Sequence, residues 1–95
     1  MTKKDILDIL DKAKPQLQAG FKVRSLALFG SYARGDQRSD SDVDIMVDVD
    51  PSIGLEFVSL AEKIEELLGL HVDLISSRAI KPSHLKFIEK ELVYV

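Results

Sequence analysis

There is no cysteine among the 95 residues, which excludes disulfides, thiolate metal sites and a catalytic thiol. That absence is compatible with a cytoplasmic location. No uninterrupted apolar stretch exceeds the four residues of Leu26–Phe29, against the ~20 that a membrane-spanning helix requires. The opening Met1-Thr2-Lys3-Lys4-Asp5 has no long apolar segment behind it, so no secretory leader and no membrane partner are expected. Internal repeats, low-complexity tracts and linkers are missing too, and the length suits one domain over residues 1–95. A basic excess is also lacking, because 13 Lys and Arg face 16 Asp and Glu. A plain nucleic-acid binder presents a basic surface, so direct nucleic-acid binding is not expected.

What is present is an ordinary globular composition with unevenly placed charge. At 45% hydrophobic and 31% charged residues, the chain supports one modest core and is too apolar for disorder. Residues 1–38 carry eight Lys and Arg against four acids, whereas residues 39–73 carry Lys63 alone against ten. Such an acidic stretch is either a solvated face or a place where cations are held.

Periodicity divides the chain into elements. Ile6, Leu7, Ile9 and Leu10 predict a helix from about Lys4 to Lys14. Pro15 is expected to break it, with a second short helical piece ending at Gly20. Val23–Phe29 reads as a strand, closed by Gly30-Ser31 and a polar segment to Ser41. Val43, Ile45, Val47 and Val49 alternate with Asp42, Asp44, Met46 and Asp48, the period of a strand with one apolar face. After Pro51 and Gly54, Phe57 to Leu68 repeats at helical spacing, with Gly69 as its cap. Leu70–Ile75 forms a third strand, and Pro82 opens a last helix with Leu85, Ile88 and Leu92 facing the core. Val93-Tyr94-Val95 reads as a short extended end, with Tyr94 expected to pack and Tyr32 to lie against the sheet. The link between the first two strands is too short for a parallel crossover, while a helix joins the second to the third. The expected fold class is α/β: a small mixed three-stranded sheet flanked by helices.

Three acids stand out in this frame. Asp42 and Asp44 lie two apart in one strand and so face the same way. Asp73 sits within the next apolar strand, where an acid is out of place without a partner. If the second and third strands are parallel neighbours, all three can share a divalent cation of the kind that also binds phosphates. An EF-hand is excluded, because Ile45 stands where glycine is required. Gly30-Ser31 offers backbone N–H groups and a hydroxyl to a phosphate, or is simply a tight turn. It is neither a Walker A loop, since Asp36 follows Gly35 where lysine is needed, nor a dinucleotide fingerprint. Arg34 and Arg38 either neutralise phosphate or, for Arg34, pair with Asp36 or Asp40. His71 and His84 read as packing or surface residues.

Gly30-Ser31, ten residues, Asp42-x-Asp44 and then Asp73 together resemble the nucleotidyltransferase signature of the DNA polymerase β superfamily. The segments Ser25–Gly35, Ser39–Asp48 and Val72–Ile75 are similar to those of minimal nucleotidyltransferases, the antitoxins of two-gene prokaryotic toxin–antitoxin modules. The resemblance covers nearly the whole chain. It implies that Gly30, Ser31 and Arg34 bind the nucleotide, that Asp42, Asp44 and Asp73 hold two Mg²⁺ ions, and that Asp73 assists the acceptor. It further implies AMP transfer from ATP to a hydroxyl, with tyrosine as the expected acceptor, on a HEPN-type ribonuclease toxin. Antitoxin action by binding alone, and small-molecule transfer with a separate helical subunit, remain as alternatives.

Overall fold

The first helix begins at a reciprocal cap. The Asp5 amide donates to Thr2 Oγ1 at 3.2 Å, and the Thr2 amide donates to Asp5 Oδ2 at 2.9 Å. These bonds satisfy donors that a helix start leaves open, and they hold the Asp5 carboxyl below its usual range. The computed structural model describes all 95 residues. In it α1 runs without interruption over Lys3–Phe21. Pro15 therefore does not break the helix, contrary to the expectation. Ile6, Leu10, Ala13 and Leu17 keep a buried stripe on both sides of it, while Pro15 and Asp11, whose carbonyl loses its donor, face solvent. Each Leu or Ile buried in full contributes about 1.5–3 kcal/mol, so the stripe outweighs one missing hydrogen bond.

β1 (Val23–Phe29) and β2 (Val43–Val49) form where the alternation placed them. Between them lies a five-residue helix, α2 (Gly30–Arg34). A 3₁₀ turn, Pro51–Ile53, leads to α3 (Glu56–Leu68), then β3 (Val72–Ser76), α4 (Pro82–Ile88) and β4 (Val93–Tyr94). The sheet order is β3-β2-β1-β4. β1 pairs antiparallel with β2, and β2 pairs parallel with β3, as the connection lengths require. The extended end becomes a fourth strand by pairing Ala27 with Tyr94 and Leu28 with Val93. Val95 extends the attachment through its amide to the Leu26 carbonyl, and Lys14 Nζ donates to the Val95 oxygen at 2.7 Å.

The two faces of the sheet differ sharply. Leu26, Leu28, Val43, Ile45, Val47 and Val72 join the α1 stripe and Leu60, Ile64 and Leu68 of α3 in one core. Parity sends Phe29, Asp44, Asp73, Met46 and Ile75 to the opposite face. α4 covers part of that face loosely and has no buried residue. Leu85 and Ile88 are only half-buried, and Leu92 lies beyond the helix end, so the expected core-facing stripe does not form. Tyr94 is 61% exposed, whereas Tyr32 is buried as expected. No helix is long and apolar enough to cross a membrane.

Candidate active site

The site is built at the point where β1 ends beside β2. Phe29, the last residue of β1, pairs with Asp44, and the next residue is Gly30 at φ +75°. A Cβ on Gly30 would overlap the Asp44 carboxylate and lie 2.9 Å from its Cγ and 3.1 Å from its Cβ. Glycine is thus required twice, once for the backbone angle and once for the space. The adjoining turn is fixed from below. Tyr32 and Ala33 are buried in the core, while Ser31 is half-buried and Arg34 exposed.

Register places the acids. Asp44 of β2 is directly opposite Asp73 of β3, and Asp42 lies two residues before Asp44 on the same side. Asp44 is half-buried. Loss of hydration pushes its carboxyl above the usual range, the charges of Asp73 and Asp42 push it further, and Arg34 opposes them. Asp73 is exposed.

Asp42 has a partner of its own. His71 Nδ1 sits 3.0 Å from Asp42 Oδ1, and His71 Nε2 sits 3.8 Å from Glu65 Oε2. The same Glu65 oxygen accepts from the Val72 amide at 3.0 Å. His71 is exposed, in keeping with its reading as a packing or surface residue, and it also stands beside Asp42. Its signal is positional: one residue before Val72, it falls opposite Asp42 once Val43 pairs with Val72. In this conformation no three carboxylate or imidazole groups converge on one point, and Asp42 is drawn to His71 instead. The donor set nonetheless suits a hard divalent cation. The charges of Asp73 and Asp42 raise the proton affinity of the half-buried Asp44, and a bound cation would offset that repulsion.

Arg34 is held by two acids. Its Nε donates to Asp36 Oδ2 at 3.1 Å and its Nη1 to Glu91 Oε2 at 2.8 Å. Both partners strengthen its hold on its proton. Of the two acids expected as partners, Asp36 pairs and Asp40 plays no part, while Glu91, 57 positions away, escapes a reading by sequence. Arg38 has an exposed side chain, and its amide donates to Ser41 Oγ at 2.8 Å. His84 lies on α4 at the edge of a cavity that also touches Asp73.

This arrangement sets the Gly30 turn against Asp44, with Asp42 on the same side of its strand and Asp73 opposite Asp44 in the adjacent strand. Residues 10–95 match the family model described as the nucleotidyltransferase domain. A Methanocaldococcus jannaschii protein provisionally named protein adenylyltransferase is 48% identical over 99% of this chain and 98% of its own length. The protein adenylyltransferase MntA of Thermococcus cleftensis is 44% identical over 100% of this chain and 97% of its own. Among solved structures, one described as a minimal nucleotidyltransferase superposes with a TM-score of 0.79 at 31% identity, covering 98% of this chain and 95% of the other. A toxin–antitoxin crystal structure with AMP-PNP superposes with a TM-score of 0.64 at 26% identity, over 99% of this chain and 72% of the other.

Proposed function

The chain belongs to the nucleotidyltransferase domain family, and from that premise we propose that it transfers AMP from Mg·ATP to a tyrosine of a HEPN-type toxin. In this reading it acts as a cytoplasmic, single-domain antitoxin and silences a ribonuclease by modifying it. The observation that carries the reading is the register of Asp44 against Asp73 beside Gly30. The relatives named adenylyltransferase support the reaction class, and the AMP-PNP complex supports ATP as donor.

In this reading each site residue has a role. Gly30 and Ser31 receive the triphosphate through backbone N–H groups and the Ser31 hydroxyl. Arg34 exchanges Asp36 or Glu91 for a phosphate oxygen, trading one charge-assisted bond for another. Asp42, Asp44 and Asp73 would hold two Mg²⁺ ions. When bound, Mg²⁺ neutralises phosphate charge and lowers the pKa of an acceptor hydroxyl. Asp73 lies on the edge strand of the sheet, where an acceptor can approach, and takes the proton from its hydroxyl. The acceptor oxygen bonds to the α-phosphorus, the bond from that phosphorus to the bridging oxygen breaks, and pyrophosphate leaves. The acidic stretch at residues 39–73 favours a basic partner and speeds encounter.

Intact-mass spectrometry of the toxin after incubation with this protein and Mg·ATP tests the reading. An AMP adduct is expected with wild type and none with Asp42→Asn. Toxin that is fully inhibited yet unmodified, by wild type and variant alike, would establish inhibition by binding alone.

A further inference from the structure

α4 and the chain leading into it roof a cavity of about 520 Å³ over the open face of the sheet. Phe29 and Ile75 line it from β1 and β3, and Ile80, Phe87 and Ile88 from the roof. Six of its nine lining residues are hydrophobic, and Asp73 is the sole carboxylate among them. The volume is that of a small-molecule site. Phe87 is 86% exposed, so most of an aromatic side chain stands open to solvent at the cavity.

The neighbours of the cavity define what it can receive. Phe29 precedes Gly30, so the cavity abuts the phosphate turn, and Asp73 carries it to the acceptor side of the site. Aromatic and aliphatic walls favour a planar ring, which gains edge-to-face or offset-stacked contacts with Phe29 and Phe87. Lys81 and His84 complete the polar lining beside Asp73. A purine has more polar edge atoms than these three residues readily pair, and the otherwise hydrophobic walls leave some of them unsatisfied. A phenol has one polar atom, and one carboxylate is available for it.

We propose that this cavity seats the phenol ring of the acceptor tyrosine, with Phe29, Ile75, Ile80, Phe87 and Ile88 around the ring and Asp73 at its hydroxyl. The inference rests on the adenylyltransferase reading and adds to it the basis of acceptor choice. The phenolic O–H bond breaks and its proton passes to Asp73, while the oxygen forms the new bond to the α-phosphorus as pyrophosphate departs. Serine and threonine lack the ring, so they forgo the apolar contacts and do not bring their oxygen to Asp73.

The test uses the full chain with isotope-labelled isoleucine methyl groups and two probes, N-acetyl-tyrosinamide and adenosine. The tyrosine amide is expected to shift the Ile75, Ile80 and Ile88 methyl resonances, and adenosine is not. Ala79 is exposed and lines the cavity, so Ala79→Phe fills the space with little risk to folding. That variant is expected to abolish the shifts and to raise the KM for the protein acceptor about tenfold or more, with the KM for ATP unchanged. Shifts caused by adenosine and not by the tyrosine amide would make the cavity a nucleobase seat and overturn the proposal. So would the absence of any shift, or an unaltered acceptor KM in Ala79→Phe. In each of those cases wild type still transfers AMP. A wild type that transfers none, even with the tyrosine shifts intact, refutes the adenylyltransferase reading and the acceptor assignment with it.

Discussion

Replacing Gly30 by alanine perturbs the site in two separable ways, and the fold contains the control for one of them. Gly30 and Gly35 flank the same short helix with similar positive φ values of 75° and 83°. A Cβ at Gly35 meets nothing within 4 Å, whereas at Gly30 it meets the Asp44 side chain. Gly35→Ala therefore measures the backbone penalty alone, about 1–2 kcal/mol for a left-handed conformation. Gly30→Ala adds the overlap. Rotating Asp44 moves its carboxylate but not its Cβ, which stays 3.1 Å from the new atom. Overpacking of that kind costs typically about 1–3 kcal/mol, giving roughly 2–5 kcal/mol in total when added to the backbone penalty. Urea unfolding of the two variants and wild type reads the difference. At about 4–8 °C per kcal/mol for a domain this small, thermal melts resolve it too. Because the intruding atom displaces Asp44, transfer should fall by about 100-fold or more in Gly30→Ala and much less in Gly35→Ala. Pairing Gly30→Ala with Asp44→Ala removes the carboxylate but keeps the Cβ 3.1 Å away, so it should recover only the carboxylate's share of the excess, as coupling of about 0.5–3 kcal/mol. Equal stability of the two glycine variants, with transfer retained in both, would refute the close approach of Gly30 to Asp44.

Three further outcomes are expected. Asp44 keeps its proton in the folded chain over a pH range where the unfolded chain has already lost it, so wild-type stability declines as pH rises through that range above 3.8. Asp44→Asn should consequently be more stable than wild type at pH 7, with the gap closing at pH 3; equal urea midpoints at pH 7 would contradict the burial and charge argument. Ser31→Ala should lower kcat/KM for ATP by roughly one to two orders of magnitude, the loss of a hydrogen bond to a charged oxygen at about 1.5–3 kcal/mol, and unchanged kinetics would remove Ser31 from the phosphate turn. Pro15→Ala restores a donor inside α1 and should stabilise by about 1–3 kcal/mol, so an unmoved or lowered melting temperature would show that the helix has already adapted to proline.

The strands and the acid pair were legible because their signals are local. The alternation from Val43 to Val49 set the strand and its apolar face together, and placed Asp42 and Asp44 on the other face. Connection length set the pairing sense of both long strand pairs. Pro15 is misleading because its penalty is local, whereas the burial of Leu17, which continues the stripe past it, comes from tertiary packing. α4 is misleading in the opposite way, since Leu85 and Ile88 have helical spacing but lie only loosely over the sheet and stay half-buried. The His71–Asp42 pair depends on parallel register, and the Arg34–Glu91 pair on a chain end that returns to β1. Neither leaves a pattern within a short window of sequence.

The strand order has a consequence for how the chain acquires its structure during synthesis. β1 lies inside the sheet, yet its two neighbours are the first and the last of the strands made after it. β2 is the next strand to be made, while β4 follows only after β2 and β3. At about 5–20 residues per second, roughly 3–13 s separate completion of β1 from that of its second partner. For that interval the backbone groups of Ala27 and Leu28 that will bond to β4 form an open sheet edge, a template for pairing with another chain. Two residues of β4 and the Val95 amide close it. Removing Val93–Val95 would therefore do most harm to yield: a shortened chain that folds its core correctly would still display the edge and self-associate.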